Sequence, residues 1–410
     1  MTGTNAAGPV TTSPCAGVAA GTFLSGPGPV VDFGPGAVAR IPGHLAGLGV
    51  QRVLVVTDAG LRAAGVVDAV VAPVGAAGLA VETYDAVTGN PSVALVEEGA
   101  GHARALGVDV VLALGGGSSL DAAKGIALLA PTPGARADGT GTAPGAGLPV
   151  VAVPTTAGTG AETNGFGVLE DPESRQKVYC GDVSVVPRVA VLDPELTYGL
   201  PARPTAATGV DALVHGLESL ASRGRDPVSE AFAAEAVRRA WAWLPAAVAD
   251  AGETQHRGEH ADGGARPDGT GARARAEMLV AAHLAGQALT RSGLGLVHGL
   301  AHALSLHTGA VHGVALAAVL PEVVGWSLDA EPAGWGRAAE AAGLPSAAAL
   351  PDALGGLLEQ VGTRVSLADL GAGPAQHEAL ARTALADPVT RNAPRHPSSV
   401  AEVTDLLAHC

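Results

Sequence analysis

The sequence predicts an α/β domain built on a parallel sheet, followed by an all-α domain. In the first half of the 410 residues, short apolar runs rich in valine alternate with alanine-rich stretches, which is typical of parallel strands covered by helices on both faces. From Thr205 onward the apolar residues recur at helical spacing with almost no strand-like runs. A chain of this length also favours two domains, because single hydrophobic cores stop growing at a smaller size.

These two patterns define the predicted elements. The predicted strands are the apolar runs at residues 53–57, 80–84, 108–114, 148–154 and 189–194. Long predicted helices follow in the second half, among them 228–247 and 274–289. Residues 131–147 and 252–270 are rich in glycine, alanine and polar residues without periodicity, which predicts two surface loops.

Charge and composition exclude several classes of partner. The formal net charge of −15 repels phosphate backbones and anionic lipid surfaces, so we expect neither a nucleic acid nor a membrane as partner. Three widely spaced cysteines predict no disulfide framework and fit a reducing cytoplasm. No apolar run approaches the roughly 20 residues needed to span a bilayer. The 24 Lys and Arg residues include only two lysines, Lys124 and Lys177.

A glycine-rich turn follows the third predicted strand. Gly115, Gly116 and Gly117 lead into a predicted helix that continues through Leu129. Glycines let the backbone approach a ligand closely, and the N-terminus of a helix offers free N–H groups to a phosphate. The turn therefore predicts a pyrophosphate cradle, with an ordinary turn capped by Ser118 or Ser119 as the alternative.

Two further strand ends carry polar residues. The segment from Thr155 to Glu162 is rich in hydroxyls and glycine and follows the fourth predicted strand. Ligands of parallel sheets bind at the carboxyl ends of the strands, so a Rossmann-like, dinucleotide-binding domain is expected. Asp58 ends the first predicted strand, where a carboxylate can bond a ribose diol and repel a 2′-phosphate. That position favours NAD over NADP, and a helix cap is the alternative.

Five of the thirteen histidines lie within thirty residues of one another: His283, His298, His302, His307 and His312. His298 and His302 are four residues apart, and so are Asp211 and His215, which places each pair on one face of a predicted helix. A carboxylate and several imidazoles that converge in this way indicate a divalent metal ion. Histidines satisfied within an apolar core are the alternative.

Four segments carry a resemblance to a known family: GGGSSLDAAK at 115–124, PTTAGTGAET at 154–163, GVDALVHGLES at 209–219, and GLGLVHGLAHAL followed by AVHGVALAAVLP at 293–321. In this order they resemble the iron-containing (group III) alcohol dehydrogenases, which are related to glycerol dehydrogenases and dehydroquinate synthase. The resemblance covers the chain from about Phe23 to the C-terminus. It implies a dehydroquinate synthase-like architecture, with a nicotinamide cofactor on the α/β domain, a metal on the helical domain and the substrate between them.

The predicted boundaries follow this division: a loose N-terminal extension at 1–21, a dinucleotide-binding α/β domain at 22–198, and a helical metal- and substrate-binding domain at 199–410. By resemblance the metal ligands would be Asp211, His215, His298 and His312. His302, one turn beyond His298, would be a catalytic residue, a non-ligating proton relay near the nicotinamide.

The resemblance also implies cofactor and substrate contacts. The cofactor would touch Asp58, Asn90, Gly116, Gly117, Ser118, Asp121, Thr155, Thr156, Thr159 and Lys177. An ordinary turn at Asn90 and a solvated charge at Lys177 are the alternatives at those two positions. The substrate pocket would include Phe166, His307 and Val389, where the resemblance points to variation in size and polarity.

The implied activity is that of a metal-dependent, NAD(H)-linked alcohol dehydrogenase or aldehyde reductase acting on a small alcohol or aldehyde. Fe²⁺ is the expected ion and Zn²⁺ the alternative, since one carboxylate and three imidazoles can hold either. Arg391, Arg395 and His396 leave an anionic aldehyde open as substrate, unless they are only solvated charge. A homodimer or larger homo-oligomer fits the resemblance.

Other functions remain open from sequence alone. A glycerol- or diol-type dehydrogenase would use the same metal. A maleylacetate reductase-like enzyme is disfavoured, because such enzymes typically lack the complete VHGxxH segment found at 297–302. A cofactor-binding protein without turnover is the alternative from a different class, and the four filled ligand positions count against it.

Overall fold

The computed structural model describes residues 21–24, 28–138, 141–142, 145–171, 176–256 and 269–410. These residues form nine strands: β1 (Gly21–Leu24), β2 (Val30–Phe33), β3 (Arg52–Val56), β4 (Ala80–Tyr84), β5 (Val110–Gly115), β6 (Val150–Pro154), β7 (Phe166–Asp171), β8 (Gln176–Gly181) and β9 (Val189–Leu192). The α-helices of the same residues are α1 (Ile41–Leu48), α2 (Ala59–Ala63), α3 (Val66–Ala76), α4 (Val93–Leu106), α5 (Gly117–Leu129), α6 (Ala202–Ala221), α7 (Pro227–His256), α8 (Gly269–Ser292), α9 (Leu296–Thr308), α10 (His312–Ser327), α11 (Pro332–Ala341), α12 (Leu350–Gln360), α13 (His377–Ala386) and α14 (Val400–Leu407). An α/β part is thus followed by a helical part, which confirms the predicted fold class.

Seven strands form one sheet in the order β1-β2-β9-β6-β5-β3-β4, and its neighbours are parallel except for β1 with β2. The five predicted strands correspond to β3, β4, β5, β6 and β9. Because β5 and β6 are neighbours, the two glycine-rich turns that follow them lie side by side at the carboxyl edge of the sheet. That edge is where parallel sheets bind ligands.

Both faces of this sheet are buried. Leu54 and Val56 of β3 pack on one face with residues of α4 and α5, whereas Val53 and Val55 pack on the other with residues of α1 and α3. Burial on both faces is the reason why these strands are continuous apolar runs in the sequence rather than alternating ones.

Strands β1 and β2 and the antiparallel hairpin β7–β8 were not among the predicted elements. β2 contains Asp32, which is fully buried. The guanidinium of Arg40 compensates its charge at 2.5 Å, and Nε2 of His44 lies 2.6 Å from the other carboxylate oxygen. A buried carboxylate balanced by a neighbouring helix does not follow the apolar pattern by which the other strands are predicted.

The helical part is built around α6, which is buried over most of its length from Thr205 to Ala221. Helices α7, α8, α10 and α11 pack against it. A helix buried on all sides belongs to the centre of its domain and carries few polar residues. The buried ionisable side chains Asp211, His215 and Glu218 are therefore unusual on such a helix.

One described helical stretch, His312–Ala330, is long and apolar enough to cross a membrane, whereas the sequence patterns predicted no segment of that length. Its mean hydropathy is 1.4, and 56% of it is buried within the protein. The stretch includes α10, which packs against α6, α9 and α12. Burial in the helical core accounts for its apolar composition.

The predicted loops and extension differ in part from the structure. The loop expected at 252–270 is shorter, because α7 continues to His256 and α8 begins at Gly269. Residues 257–268 lie outside the described residues, and so does the predicted N-terminal extension apart from Gly21, which begins β1. In the loop expected at 131–147, the described residues form no helix or strand.

Candidate active site

A cavity of about 600 Å³ is lined by residues from both parts of the chain. From the α/β part, Gly117, Ser118 and Thr159 of the two glycine-rich turns line it. From the helical part, the lining includes Asp211 and His298. The predicted phosphate cradle and the predicted metal cluster therefore open into the same space.

The first glycine-rich turn leaves no room for side chains. A Cβ atom on Gly117 would lie 2.5 Å from Cγ2 of Thr159, and one on Gly116 would lie 3.3 Å from Cγ2 of Thr156. Gly116 itself is the N-cap of α5, so neither Ser118 nor Ser119 caps the helix as the alternative interpretation required. A bare helix N-terminus of this kind fits the pyrophosphate of a dinucleotide.

Asn90 and Lys177 meet beside this turn. The backbone N–H of Asn90 donates to Oγ of Ser118 at 3.3 Å, with Asn90 in the left-handed region at φ 52°. Nζ of Lys177 donates to Oδ1 of Asn90 at 3.3 Å and to Oε1 of Glu170 at 2.8 Å. Lys177 is thus a paired cation in the cavity wall and not a solvated surface charge.

Lys124 connects helix α5, which follows the first glycine-rich turn, with the loop after β6. Its side chain is only 1% exposed, and its ammonium donates to the Ala161 carbonyl at 2.9 Å and to Oδ1 of Asn164 at 3.1 Å. Oδ1 of Asp121 lies 3.0 Å from the same nitrogen. Three oxygens around a compact ammonium match its three N–H donors. The lysine therefore ties α5 to the loop after β6.

The three predicted ligand histidines all approach one carboxylate oxygen of the fourth predicted ligand, Asp211. Oδ1 of Asp211 lies 3.3 Å from Nε2 of His215, and 3.5 Å from Nε2 of both His298 and His312. Asp211, His215 and His298 are buried, and the side chain of His312 is 34% exposed. Two helices and the first residue of a third, α6, α9 and α10, supply these four side chains.

The donor set fits a divalent cation. Oδ1 of Asp211 and Nε2 of His298 are buried and have no hydrogen-bond partner among the described residues, although an unpaired buried polar atom is costly. Donors at tetrahedral corners, each about 2.1 Å from a metal, would be about 3.4 Å apart. The three carboxylate–imidazole separations of 3.3 and 3.5 Å agree with that spacing, and the donor atoms of Asp211, His298 and His312 all lie within 4.8 Å of one another.

The charges of this cluster are strongly coupled. Burial would raise the pKa of Asp211, but the surrounding imidazoles hold it well below its ordinary value. Burial opposes protonation of His298, yet the carboxylates of Asp211 and Glu218 raise its pKa to about 9. Burial lowers the pKa of His215 to about 3. An ionised carboxylate beside several imidazoles is an appropriate ligand set for a cation. Binding of the cation would displace protons from the imidazole nitrogens.

Glu218 is a functional residue that sequence reasoning missed. Its Oε2 accepts from Nδ1 of His298 at 2.6 Å, and its Oε1 accepts from the backbone N–H of Val297 at 2.8 Å. This contact fixes the proton of His298 on Nδ1 and leaves Nε2 free to bind a metal. Glu218 follows Asp211 by seven residues and so lies on the same helix face, which was an available signal.

His302 lies next to this cluster, with its ring 5.3 Å from that of His312 between centroids. Its Nδ1 donates to Oδ2 of Asp387 at 2.7 Å. Burial lowers the pKa of His302 to about 4, against the opposite effect of Asp387, so the ring is neutral near pH 7. Among the described residues, the carboxylate of Asp387 is another partner that sequence reasoning missed.

Two family profiles match this chain. The one described as iron-containing alcohol dehydrogenase matches residues 29–194, and the one described as Fe-containing alcohol dehydrogenase family, C-terminal, matches residues 263–410. The chain belongs to the iron-containing alcohol dehydrogenase family. Membership implies a metal, typically iron, and NAD(H) as cofactor.

Individual relatives agree with this assignment. Lactaldehyde reductase of Escherichia coli (strain K12) is 33% identical over 389 residues, which is 91% of this chain and 96% of that protein. NAD-dependent methanol dehydrogenase of Bacillus methanolicus is 33% identical over 388 residues, covering 92% and 96%. The crystal structure of 1,3-propanediol oxidoreductase aligns with a TM-score of 0.83 at 33% identity and covers 92% of this chain and 97% of that one. This iron-containing alcohol dehydrogenase is thus an enzyme, an oxidoreductase.

In this iron-containing alcohol dehydrogenase, six of the ten predicted cofactor residues line the cavity and four do not. Those that line the cavity are Asn90, Gly117, Ser118, Asp121, Thr159 and Lys177. Gly116, Thr155 and Thr156 do not line it but lie in the same two turns. Asp58 does not line it either: it caps α2, where its Oδ1 accepts from the Leu61 N–H at 3.0 Å.

Two of the three predicted substrate-pocket residues line the cavity. Phe166 and Val389 line the cavity. His307 does not: it is exposed on the far side of α9, with Nε2 2.9 Å from Oγ1 of Thr383. His283 lies apart from the metal donors as well, because its Nδ1 is 3.1 Å from Oε1 of Glu162 in a buried pair.

The arginines near the C-terminus do not form the mouth of the cavity. Arg395 stacks on the ring of Trp326 at 4.1 Å and bonds Oε1 of Glu402 at 2.7 Å. Arg391 and His396 are exposed and do not line the cavity. Solvated or locally paired charge is therefore the correct interpretation of these three residues.

Proposed function

We propose that this enzyme interconverts a small neutral alcohol and its aldehyde, using NAD(H) and a divalent cation held by Asp211, His215, His298 and His312. The observation that carries the proposal is the shared cavity. It brings the glycine-rich N-terminus of α5 and the carboxylate of Asp211 with its three neighbouring imidazoles to one cavity of about 600 Å³. A site for a dinucleotide phosphate and a site for a cation, with a pocket between them, are what hydride transfer to a carbonyl requires.

When bound, the nicotinamide supplies or receives the hydride, and the cation supplies the positive charge that stabilises a developing alkoxide. The protein's own residues orient these partners. Asn90, Lys177 and the glycine-rich turns would hold the nucleotide, and Phe166, Leu294 and Val389 would exclude water around the reacting carbon.

His302 would move the proton. The ring is neutral near pH 7, and its Nδ1–H is engaged by Asp387, so Nε2 is the nitrogen that can accept the hydroxyl proton of an alcohol. In the reducing direction the resulting imidazolium would return that proton to the product oxygen. General acid–base catalysis of this kind contributes about 10²- to 10⁴-fold to rate.

A neutral substrate is supported by the pairing of the cavity's cations. Within the described part of the chain, the lysine and arginine that line it are Lys177 and Arg291. Lys177 is bonded to Glu170 at 2.8 Å, and Arg291 lies 3.5 Å from Asp226. A carboxylate or phosphonate on the substrate would therefore have to compete with an existing acidic partner.

Several finer assignments belong to the same proposal. Fe²⁺ is the expected ion and Zn²⁺ the alternative, because both accept imidazole and carboxylate ligands. NAD is expected over NADP, because one relative is named NAD-dependent methanol dehydrogenase. The free thiols of Cys180 and Cys410 fit a cytoplasmic location, and a homo-oligomer is expected as the assembly.

The test combines metal analysis with turnover. Protein purified without air is expected to contain stoichiometric iron and to consume NADH with small neutral aldehydes faster than with anionic ones of equal length. The His215→Ala variant should lose both the metal and the activity. Stoichiometric metal without any NADH consumption across the panel would refute the proposed reaction, and faster turnover of anionic aldehydes would refute the substrate class.

A diol or hydroxyaldehyde substrate is the second candidate, and one observation favours it. Oγ of Ser305 is buried at the cavity wall and has no hydrogen-bond partner among the described residues. Ser305 follows His302 by less than one helical turn, so its hydroxyl would be available to a second oxygen on the substrate. Relatives named lactaldehyde reductase and 1,3-propanediol oxidoreductase are consistent with this. The ratio of kcat/KM for a vicinal diol to that for the matching monohydric alcohol decides between the two.

A further inference from the structure

A chain of hydrogen bonds connects the α/β part to helix α9 at the wall of the cavity. The hydroxyl of Tyr179, on β8, donates to Oδ1 of Asp387 at 3.2 Å. Oδ2 of Asp387 accepts from Nδ1 of His302 at 2.7 Å. Tyr179 and His302 both line the cavity. Neither the phosphate cradle nor the metal donors account for Tyr179 and Asp387.

Asp387 is held in place by its surroundings. It is the N-cap of the short 3₁₀ helix Pro388–Asn392, and its Oδ1 accepts from the Val389 N–H at 2.9 Å. Burial would raise the pKa of Asp387, but His302 and the other donors lower it, so the group is a carboxylate near pH 7. With its side chain only 10% exposed, the carboxylate has little freedom to turn away from His302.

This arrangement decides which nitrogen of His302 carries the proton. An ionised carboxylate accepts hydrogen bonds and cannot donate them, so Nδ1 must be protonated and Nε2 must hold the free lone pair. Glu218 acts on His298 in the same way, one turn earlier on α9. Two successive histidines of one helix therefore each have a carboxylate at Nδ1, one beside the metal donors and one beside the cavity.

Tyr179 adds a connection to the cofactor side. It lies two residues after Lys177 on β8, so both side chains project from the same face of the hairpin, and both line the cavity. Lys177 contacts Asn90 beside the phosphate cradle, and Tyr179 contacts Asp387. The ring of Phe166 lies 6.2 Å from that of Tyr179 and supports it. One strand thus touches both the predicted cofactor site and the partner of His302.

We propose that Asp387 and Tyr179 are positioning residues for proton transfer in the reaction proposed above, on which this inference rests. Asp387 fixes the tautomer and orientation of His302. Tyr179 makes that geometry depend on the β7–β8 hairpin, and thereby links cofactor binding to proton transfer.

The step balances without any further reactant. In alcohol oxidation, Nε2 of His302 accepts the hydroxyl proton while the electron pair of the C–H bond leaves with the hydrogen as hydride to NAD⁺. The products are the aldehyde, NADH and an imidazolium, which releases its proton to solvent. Asp387 stabilises the imidazolium and does not itself take up the proton.

The first test is Asp387→Asn, which keeps the size of the side chain. An amide that still accepts from the Val389 N–H presents its NH₂ group to His302 and disfavours the required tautomer. We expect kcat to fall about 100-fold, while KM for NADH, NADH binding by fluorescence and metal content stay near wild type. The solvent deuterium isotope effect on kcat should rise, because proton transfer becomes rate-limiting. Asp369→Asn is the matched control: Asp369 caps a turn by accepting from the Ser366 N–H and does not line the cavity.

A double-mutant cycle separates positioning from a structural role. If Asp387 acts through His302, then Asp387→Asn should have no further effect on kcat in a His302→Ala background. Additive losses, or an unchanged solvent isotope effect in Asp387→Asn, would overturn the assignment of Asp387.

Tyr179→Phe tests the link at a partly exposed position, where folding is not at risk. Loss of one hydrogen bond to a charged group predicts a decrease in kcat of about fivefold with an unchanged metal content. Tyr84→Phe is the control, because Tyr84 also donates one hydrogen bond, to the Leu95 carbonyl, but away from the cavity. Equal kcat values for Tyr179→Phe and wild type would refute the link. Absence of turnover in the wild-type protein would instead refute the proposed reaction, so the two failures are distinguishable.

Discussion

The buried helix α6 carries three ionisable side chains on one face: Asp211, His215 and Glu218, all less than 7% exposed. Burial of such groups is costly unless each has a charged or hydrogen-bonding partner. Two of them belong to the metal donors, and the third holds a histidine of another helix. The free-energy cost of burying these three groups is therefore offset by contacts among the proposed ligands and by the contact between Glu218 and His298.

Glu218→Gln tests the contact between Glu218 and Nδ1 of His298. The amide oxygen can still accept from the Val297 N–H, but the NH₂ group then faces the Nδ1–H of His298, and two donors cannot bond. His298 must move its proton to Nε2 or turn away, and either change removes a metal ligand. We expect the metal affinity to fall about 10- to 100-fold, measured by competition with a chelator. Glu378→Gln is the control, since Glu378 is exposed and bonded to Arg382; equal affinities in the two variants would disprove the role of Glu218.

Single residues were predictable where a local rule applied. The spacing of four residues brought Asp211 together with His215, and the seven-residue spacing to Glu218 follows the same rule. The partner of His302 was not predictable in this way, because Asp387 is 85 residues away and reaches it through tertiary packing. His307 was expected in the pocket from the resemblance, but it lies five residues beyond His302 on another face of α9, where it is exposed and does not line the cavity.

At the scale of elements, each of the three histidines proposed as metal ligands is followed by a glycine at a close packing contact. A Cβ on Gly216 would lie 2.8 Å from Cγ2 of Val237, and one on Gly299 would collide with Oγ1 of Thr390. A Cβ on Gly313 would collide with the Ala207 carbonyl. The helices that carry the ligands can approach their neighbours only because these positions lack side chains.

Gly313→Ala is therefore expected to displace the start of α10 from α6 and to move His312 with it. Because donor atoms must remain about 2.1 Å from the ion, a shift of even about 0.5 Å should weaken metal binding, and we expect a loss of about tenfold or more. Metal content after dialysis against a weak chelator measures the effect. Gly336→Ala is the matched control, as it also lies within a helix but has open space around its Cα. Full retention of metal by Gly313→Ala would show that α10 tolerates the displacement.

Elements were predictable where burial was uniform. The five apolar runs correspond to β3, β4, β5, β6 and β9, because both faces of the sheet are covered. The hairpin β7–β8 mixes Lys177, Glu170 and Tyr179 with apolar residues, since it faces the cavity and solvent. A functional surface of this kind does not follow the pattern of a core strand.

At the scale of the whole molecule, the four proposed metal donors all belong to the helical part, whereas the proposed phosphate cradle belongs to the α/β part. The order of strands and then helices along the sequence made this division predictable. The cavity itself was not, because its shape depends on how the two parts pack together.

Removal of the metal should lower the stability of the folded chain. A ligand present at about 100 times its Kd stabilises the native state by about 2.7 kcal/mol, which corresponds to about 5–10 °C for a domain of about 200 residues. Thermal unfolding of the iron-loaded protein, with and without a chelator, measures the shift. The His215→Ala variant should show none. A shift of equal size in that variant would mean that the cation binds elsewhere.

The placement of the lysines has a practical consequence. The chain contains only two, and Lys124 is enclosed by three oxygens with 1% of its side chain exposed. Lys177 is 12% exposed in the wall of the cavity, near Asn90. Of the two lysine amines, only that of Lys177 is therefore open to an acylating reagent on the folded protein. Acylation of Lys177 can therefore report on the cavity. Protection of its amine from acylation by added nucleotide would show that the nucleotide site is occupied.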